Sequence, residues 1–259
     1  MEPRGGDLVN DISGGRRPTV WNANCGGSFG HELTFSRTLE LEMGQTKHFE
    51  TVKNAHGGTN IHKHWFPGHG AYWESLRSSI RSRKGYGNWK AFFWHQGTQE
   101  AWPQEDTSLY YFGNMTGLVE EVRLEMFDAS EDGYWQCKEE IPVVIIQIGY
   151  WPGGERADRV RDAQREFSEK DPKAQMVTVN DLSRFYHFDA ASFLIGGHRI
   201  AQAYQAAVQA SFTCPSPTSS PSTQPSPQPS SKPSILPSVS AQPSSKPSIL
   251  PSVSAQPSP

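Results

Sequence analysis

The stretch "IPVVIIQIGYW", residues 141–151, constrains the fold more than any other part of this chain. It is an unbroken β-branched run bounded by Pro142 and Pro152, and such a run reads as a buried strand. Longer amphipathic segments alternate with shorter apolar ones on either side of it. "HFETVKNA", "WKAFFWHQG" and "AQMVTV" read as further strands. "HELTFSRTLELEMG", "GHGAYWESLRSSIRSRKG", "DTSLYYFGNMTGLVEEVRLEMFDA" (with a break expected at Gly113), "GERADRVRDAQREFSEKD" and "DAASFLIGGHRIAQAYQAAVQA" read as helices. In the charged helix Val160, Ala163 and Phe167 share the inward face. Strand and helix alternating at this spacing predict an α/β fold with a parallel sheet. In such sheets ligands bind beyond the carboxyl ends of the strands, so the segments that follow each strand carry the functional information.

Composition changes near Cys214. Beyond it the chain is Pro, Ser, Thr and Gln with a few aliphatics, no aromatic residue and only Lys232 and Lys246 as charges. "QPSSKPSILPSVSA" begins at Gln228 and again at Gln242. Such a segment buries too little apolar surface to offset chain entropy, which predicts a disordered spacer over residues 211–259. The globular domain is expected over residues 18–210, preceded by an irregular segment over 1–17. A net charge of −3 offers no footprint for nucleic acid. No apolar run is long enough to span a membrane. "MEPRGGDLVND" lacks the basic-then-apolar pattern of a secretory signal. Cys25, Cys137 and Cys214 form neither a framework nor a metal spacing, and leave one disulfide or three idle thiols as the alternatives.

The segments after the strands are "AHGGTN", "HQGTQEA", "YWPGG" and "NDLSRFYHFD", and three of them hold candidate chemistry. In "WHQGTQEAW" the Gln96 amide either donates to an oxyanion or caps local backbone. In "RFYHFDAASFL" His187 stands as a general base or as an exposed loop histidine, with Asp181 and Asp189 as acids to orient it. Gly57, Gly58 and Thr59 form a turn that shapes the rim of a site. His62 and His64 make a His-x-His pair, but no Cys or acidic third ligand lies near them in sequence, so no metal is expected. "CGGSFG" contains Gly-x-Ser-x-Gly around Ser28, yet the polar "RRPTVWNANC" before it is not the apolar strand a nucleophile elbow requires.

"FGHELTFSRTL", "VKNAHGGTNIHKHW", "FFWHQGTQEA" and "YHFDAASFLIGGHRIAQAY" resemble, in order and spacing, the sialate O-acetylesterase-type carbohydrate esterase domain of the SGNH (GDSL-like) hydrolase superfamily. The resemblance implies a flavodoxin-like three-layer α/β/α sandwich and serine ester hydrolysis on acetylated carbohydrates, with no cofactor. It implies that Gly30 gives a backbone N–H to the oxyanion hole, that Gln96 gives its side-chain amide, and that His187 is the base. It leaves Asp181 as the candidate acid behind that base and Gly57, Gly58 and Thr59 beside the substrate.

The chain departs from that pattern in three places. Thr98 stands where the family usually has an acid after Gly, and Arg184 where Asp is usual three residues before the histidine. The family's nucleophile belongs to a Gly-Gln-Ser-Asn-like block directly after a first strand, and no such block occurs here. Residues 1–20 hold no apolar strand, and Ser13 follows none. The expectation is therefore a sandwich lacking its first strand and its nucleophile, inactive as written, or else a noncatalytic carbohydrate-binding relative. The Pro/Ser tail suits an extracellular or wall-associated protein in either case.

Overall fold

A computed structural model of the chain describes residues 8–11, 30–41, 50–102, 107–149, 154–182 and 188–215. The chain separates into two units, Met1–Pro215 and Ser216–Pro259, and the second lies outside the described residues. So do Ser13, Ser28, Arg184 and His187.

The first unit is built around the run that was read as the buried strand. It forms β4 (Val143–Ile146), the middle member of a three-stranded parallel sheet. On one side β4 pairs with β3 (Phe92–Trp94), Phe92 opposite Val143 and Trp94 opposite Ile145. On the other it pairs with β5 (Ala174–Val177), Val143 opposite Ala174 and Ile146 opposite Val177. All four residues of β4 are buried because both of its faces are covered by helices. Val143 and Ile145 enter a core shared with α2 (Trp73–Arg81), α3 (Tyr111–Ala129) and α4 (Glu155–Lys170). Val144 and Ile146 enter a second core shared with α1 (Glu32–Leu41) and α5 (Ala190–Gln209). The alternation is the period-two rule of a pleated strand, and each fully buried aliphatic contributes about 1.5–3 kcal/mol.

The helices follow the sequence closely. α3 runs unbroken through Gly113, where a break was expected, because the buried stripe Tyr111, Met115, Leu118, Val119, Val122 and Met126 runs across it. α4 buries Val160, Ala163 and Phe167 on the expected face. Arg123, 5% exposed, ties α3 to its neighbours: its Nε donates to Ile141 O at 2.9 Å and its guanidinium pairs with Asp171 at the end of α4.

Two expectations change. "HFETVKNA" contributes a strand, β2 (Glu50–Lys53), but it does not join the parallel sheet. It pairs antiparallel with β1 (Leu8–Asp11), inside the stretch where no strand was read. A four-residue backbone ladder needs no apolar run, which is why hydropathy did not find it. Cys137 and Cys214 form a disulfide with Cα atoms 5.9 Å apart.

Candidate active site

β3 ends at Trp94, and the chain then turns through His95, Gln96 and Gly97. Gly97 has φ of +132°, and a Cβ there would lie 2.7 Å from Val160 Cγ1, so the turn requires glycine. Buried polar contacts hold it. Gln96 O accepts from Tyr111 Oη at 2.7 Å and from Gln164 Nε2 at 2.9 Å, while Gln164 Oε1 accepts from Ile148 N at 3.0 Å. Burial holds the Tyr111 phenol protonated well beyond its ordinary range.

The Gln96 side chain reaches across to the loop after β2. Its Nε2 donates to Thr59 O at 2.6 Å and to Glu100 Oε2 at 2.5 Å. Its Oε1 is buried without a partner among the described residues. Glu100, 2% exposed, also accepts from Ile61 N at 2.6 Å. Burial raises its carboxyl from 4.5 to about 7, against the opposing pull of those hydrogen bonds. Thr59 is buried, its hydroxyl donating to His56 O at 3.2 Å and accepting from Trp65 Nε1 at 2.9 Å. Gly58 supplies the turn before it, at φ of +68°.

Gly30 stands at the start of α1. Its N–H donates to Glu32 Oε1 at 3.2 Å, and Lys53 Nζ at the end of β2 donates to the same oxygen at 3.1 Å. An anionic oxygen thus already sits between a backbone N–H and an ammonium. His31, next in sequence, shares its Nδ1 with Phe193 O at 3.2 Å and leaves Nε2 buried without a described partner. Its ring lies 5.5 Å from that of His95, and Phe188 lies 5.4 Å from each. Desolvation pulls the His31 imidazole below its usual value, against the Phe193 carbonyl and Glu32, which raise it. His95 lines the same cavity and keeps exposed surface. Desolvation, then His31 and Lys53, pull it down to about 3, so both rings are neutral at pH 7.

These groups share one cavity of about 340 Å³. Gly30, Gln96 and Thr59 line it together with His31, Lys53 and His95; Gly57 and Gly58 do not line it. His187 is outside the described residues, but its neighbour Phe188 packs on both cavity histidines. Asp181 makes a two-point ion pair with Arg199, at 2.7 and 2.6 Å, and that bond holds its carboxyl down to about 2. Asp189 caps α5, accepting from Ser192 N at 2.7 Å. His62 packs on His69 at 4.8 Å, whereas His64 Nδ1 meets Asn60, so different partners hold the two rings of the His-x-His pair. No trio of metal-binding side chains occurs among the described residues.

Sequence reading did not single out His31, Lys53, His95 or Glu100. For Glu100 a signal existed. Glu100 lies four residues after Gln96, and the turn brings its carboxylate onto the Gln96 amide.

A parallel sheet packed by helices, with a cavity lined along β3 and its exit, defines an α/β protein with a candidate site beside its sheet. The model of one family, described as carbohydrate esterase, sialic acid-specific acetylesterase, matches residues 15–206, and the chain belongs to that family. No curated protein and no solved structure matches it. Among the described residues no helix is long and apolar enough to cross a membrane.

Proposed function

We propose that this chain carries the oxyanion and base portion of a carbohydrate O-acetylesterase site, on a flavodoxin-like three-layer sandwich spanning residues 18–210. Residues 1–17 lead into it and 211–259 form a spacer. Gly30 N–H and the Gln96 amide stabilise the oxyanion, His187 is the base with Asp181 as its candidate orienting acid, and the Gly57–Thr59 turn borders the acetylated sugar. The observation that carries this reading is the meeting of Gly30, Gln96 and Thr59, from three separate parts of the chain, in one cavity. Family membership supplies the substrate class. The Cys137–Cys214 disulfide supports an oxidising compartment, in keeping with an extracellular or wall location.

A serine mechanism needs an activated hydroxyl within reach of the base. No Gly-Gln-Ser-Asn-like block occurs in the 259 residues. The expected outcome is therefore a remnant activity of about 10³–10⁴-fold over water on aryl acetates and acetylated sialic acid. Acetate release measured for the chain as written, Gln96→Ala, His187→Ala and Ser28→Ala tests this. Full esterase turnover that only Ser28→Ala abolishes would overturn it and restore the elbow at Ser28.

One observation favours a noncatalytic reading. Both Gln96 N–H groups are engaged by Thr59 and Glu100, and the Gly30 N–H is engaged by Glu32. Calorimetric binding of acetylated sugar without acetate release would select that reading.

A further inference from the structure

Gly97 turns the chain out of β3, and the residues after it fold back: Ala101 N donates to Gly97 O at 3.1 Å. That turn sets Glu100 against the side chain of Gln96, four residues earlier. The Gln96 backbone is fixed, since Tyr111 Oη and Gln164 Nε2 both donate to its carbonyl, at 2.7 and 2.9 Å. One oxygen of Glu100 is fixed as well, because Oε1 accepts from Ile61 N at 2.6 Å. What is left to turn is the Gln96 side-chain amide, and what is left to meet it is Glu100 Oε2.

A primary amide carries two N–H donors on one arm and a carbonyl acceptor on the other. Gln96 Nε2 gives its donors to Thr59 O at 2.6 Å and to Glu100 Oε2 at 2.5 Å. Both partners are acceptors. Turning the amide over would set its carbonyl oxygen against a backbone carbonyl and a carboxylate, with no hydrogen among the three. The bond to an ionised carboxylate is also charge-assisted, and so the stronger kind. While Glu100 is ionised, the nitrogen arm therefore stays with Thr59 and Glu100, and the oxygen arm points away from both. A proton on Glu100 changes this. Oε1 already accepts from Ile61 N, so the proton falls to Oε2, which then donates to a carbonyl oxygen. The turned amide keeps a hydrogen bond to Glu100, gives up the one to Thr59 O, and frees both N–H groups.

We propose that Glu100 is a positioning residue that selects, by its protonation state, which arm of the Gln96 amide a ligand meets. Ionised, it leaves Gln96 an acceptor, suited to a sugar hydroxyl. Protonated, it leaves Gln96 a donor, suited to the oxyanion of an acetyl ester under attack. Burial brings the change close to neutral pH, since desolvation raises the Glu100 carboxyl to about 7. Ile61 meets it from the loop after β2 with a backbone N–H, and Tyr111 of α3 feels its charge through a buried phenol that stays protonated over this range. The turn of the amide stands on these contacts alone; its use in catalysis rests on the oxyanion reading of Gln96.

The test uses the full chain without substrate. The side-chain amide signals of Gln96, assigned from their loss in Gln96→Ala, are followed by NMR from about pH 5 to about pH 9, together with the carboxyl carbon of Glu100. The two should shift together, with one midpoint at about 7. Cross-relaxation between the Gln96 Nε2 protons and the Ile61 N–H, which converge on one carboxylate, should be present at high pH and lost at low pH. Glu100→Gln, whose amide donates at any pH, should hold the low-pH signals throughout. Amide signals that ignore the Glu100 midpoint would overturn the proposal. Signals that shift while cross-relaxation with Ile61 persists at both ends would overturn it too, because a fixed amide would then only sense a nearby charge. If Glu100→Gln does not fold, the titration of the parent still decides. Acetate release enters none of these readouts: the oxyanion reading fails separately, if Gln96→Ala releases acetate as fast as the parent.

Discussion

Glu100 shows how one residue's surroundings set its chemistry. Its carboxyl bridges Gln96 and Ile61 inside the protein, and burial raises it from 4.5 to about 7. Between those values the folded protein holds a proton that the unfolded chain has released. Its contribution to stability is therefore fully present below the unfolded value and is lost as pH rises toward about 7. Glu100→Gln removes this titration whatever its fixed cost. The stability of the variant relative to the parent should thus improve between about pH 5 and about pH 8. Urea midpoints at both pH values check this, and an unchanged difference would mean that Glu100 does not titrate in that window. The same contact matters for the candidate site, because Glu100 occupies one of the two N–H groups that Gln96 would offer an oxyanion.

At the scale of elements, α1 and α5 approach closely. Gly197 of α5 lies against the start of α1, where a Cβ would stand 2.3 Å from His31 O and 2.9 Å from Phe35 N. Gly196 meets the His31 ring in the same way, at 2.4 Å from Cε1. These two glycines let α5 approach His31 closely enough for the Phe193 carbonyl to share its Nδ1. Backbone cannot retreat as a flexible side chain does, so Gly197→Ala is expected to cost about 1–3 kcal/mol. Chemical denaturation measures that loss, and the ring signals of His31 should shift with it. A neutral Gly197→Ala would mean that the two helices separate freely. "FLIGGHRI" reads simply as helix in the sequence, and nothing in its pattern says which helix its glycines meet.

At the scale of the whole molecule, the disulfide closes a sequence separation of 77 residues, from the loop after α3 to the segment beyond α5. Cys137→Ser is expected to lower stability by about 2–4 kcal/mol under oxidising conditions and to have no effect once the parent is reduced. Equal denaturation midpoints for the two oxidised proteins would show that the bond does not form. The Pro/Ser segment is expected to contribute nothing to the first unit. Ending the chain after Pro215 should leave thermal unfolding unchanged, and a drop in midpoint would reveal contacts that its composition does not suggest.

The sequence by itself determined the α/β class, the strand at Val143–Ile146 and the helices α1 to α5. Those features are local: they rest on periodicity, β-branched runs and turn residues a few positions apart. The family was legible for the same reason, because its blocks are short and ordered along the chain. Only the tertiary structure decided that β2 pairs with β1 rather than with the parallel sheet, that the Glu100 carboxylate bridges Gln96 and Ile61, and that Cys137 meets Cys214. It alone brought His31 and His95 together in one cavity. Each of these depends on packing between residues far apart in sequence. Long-range packing fixes which neighbours a side chain meets, and no periodicity records it.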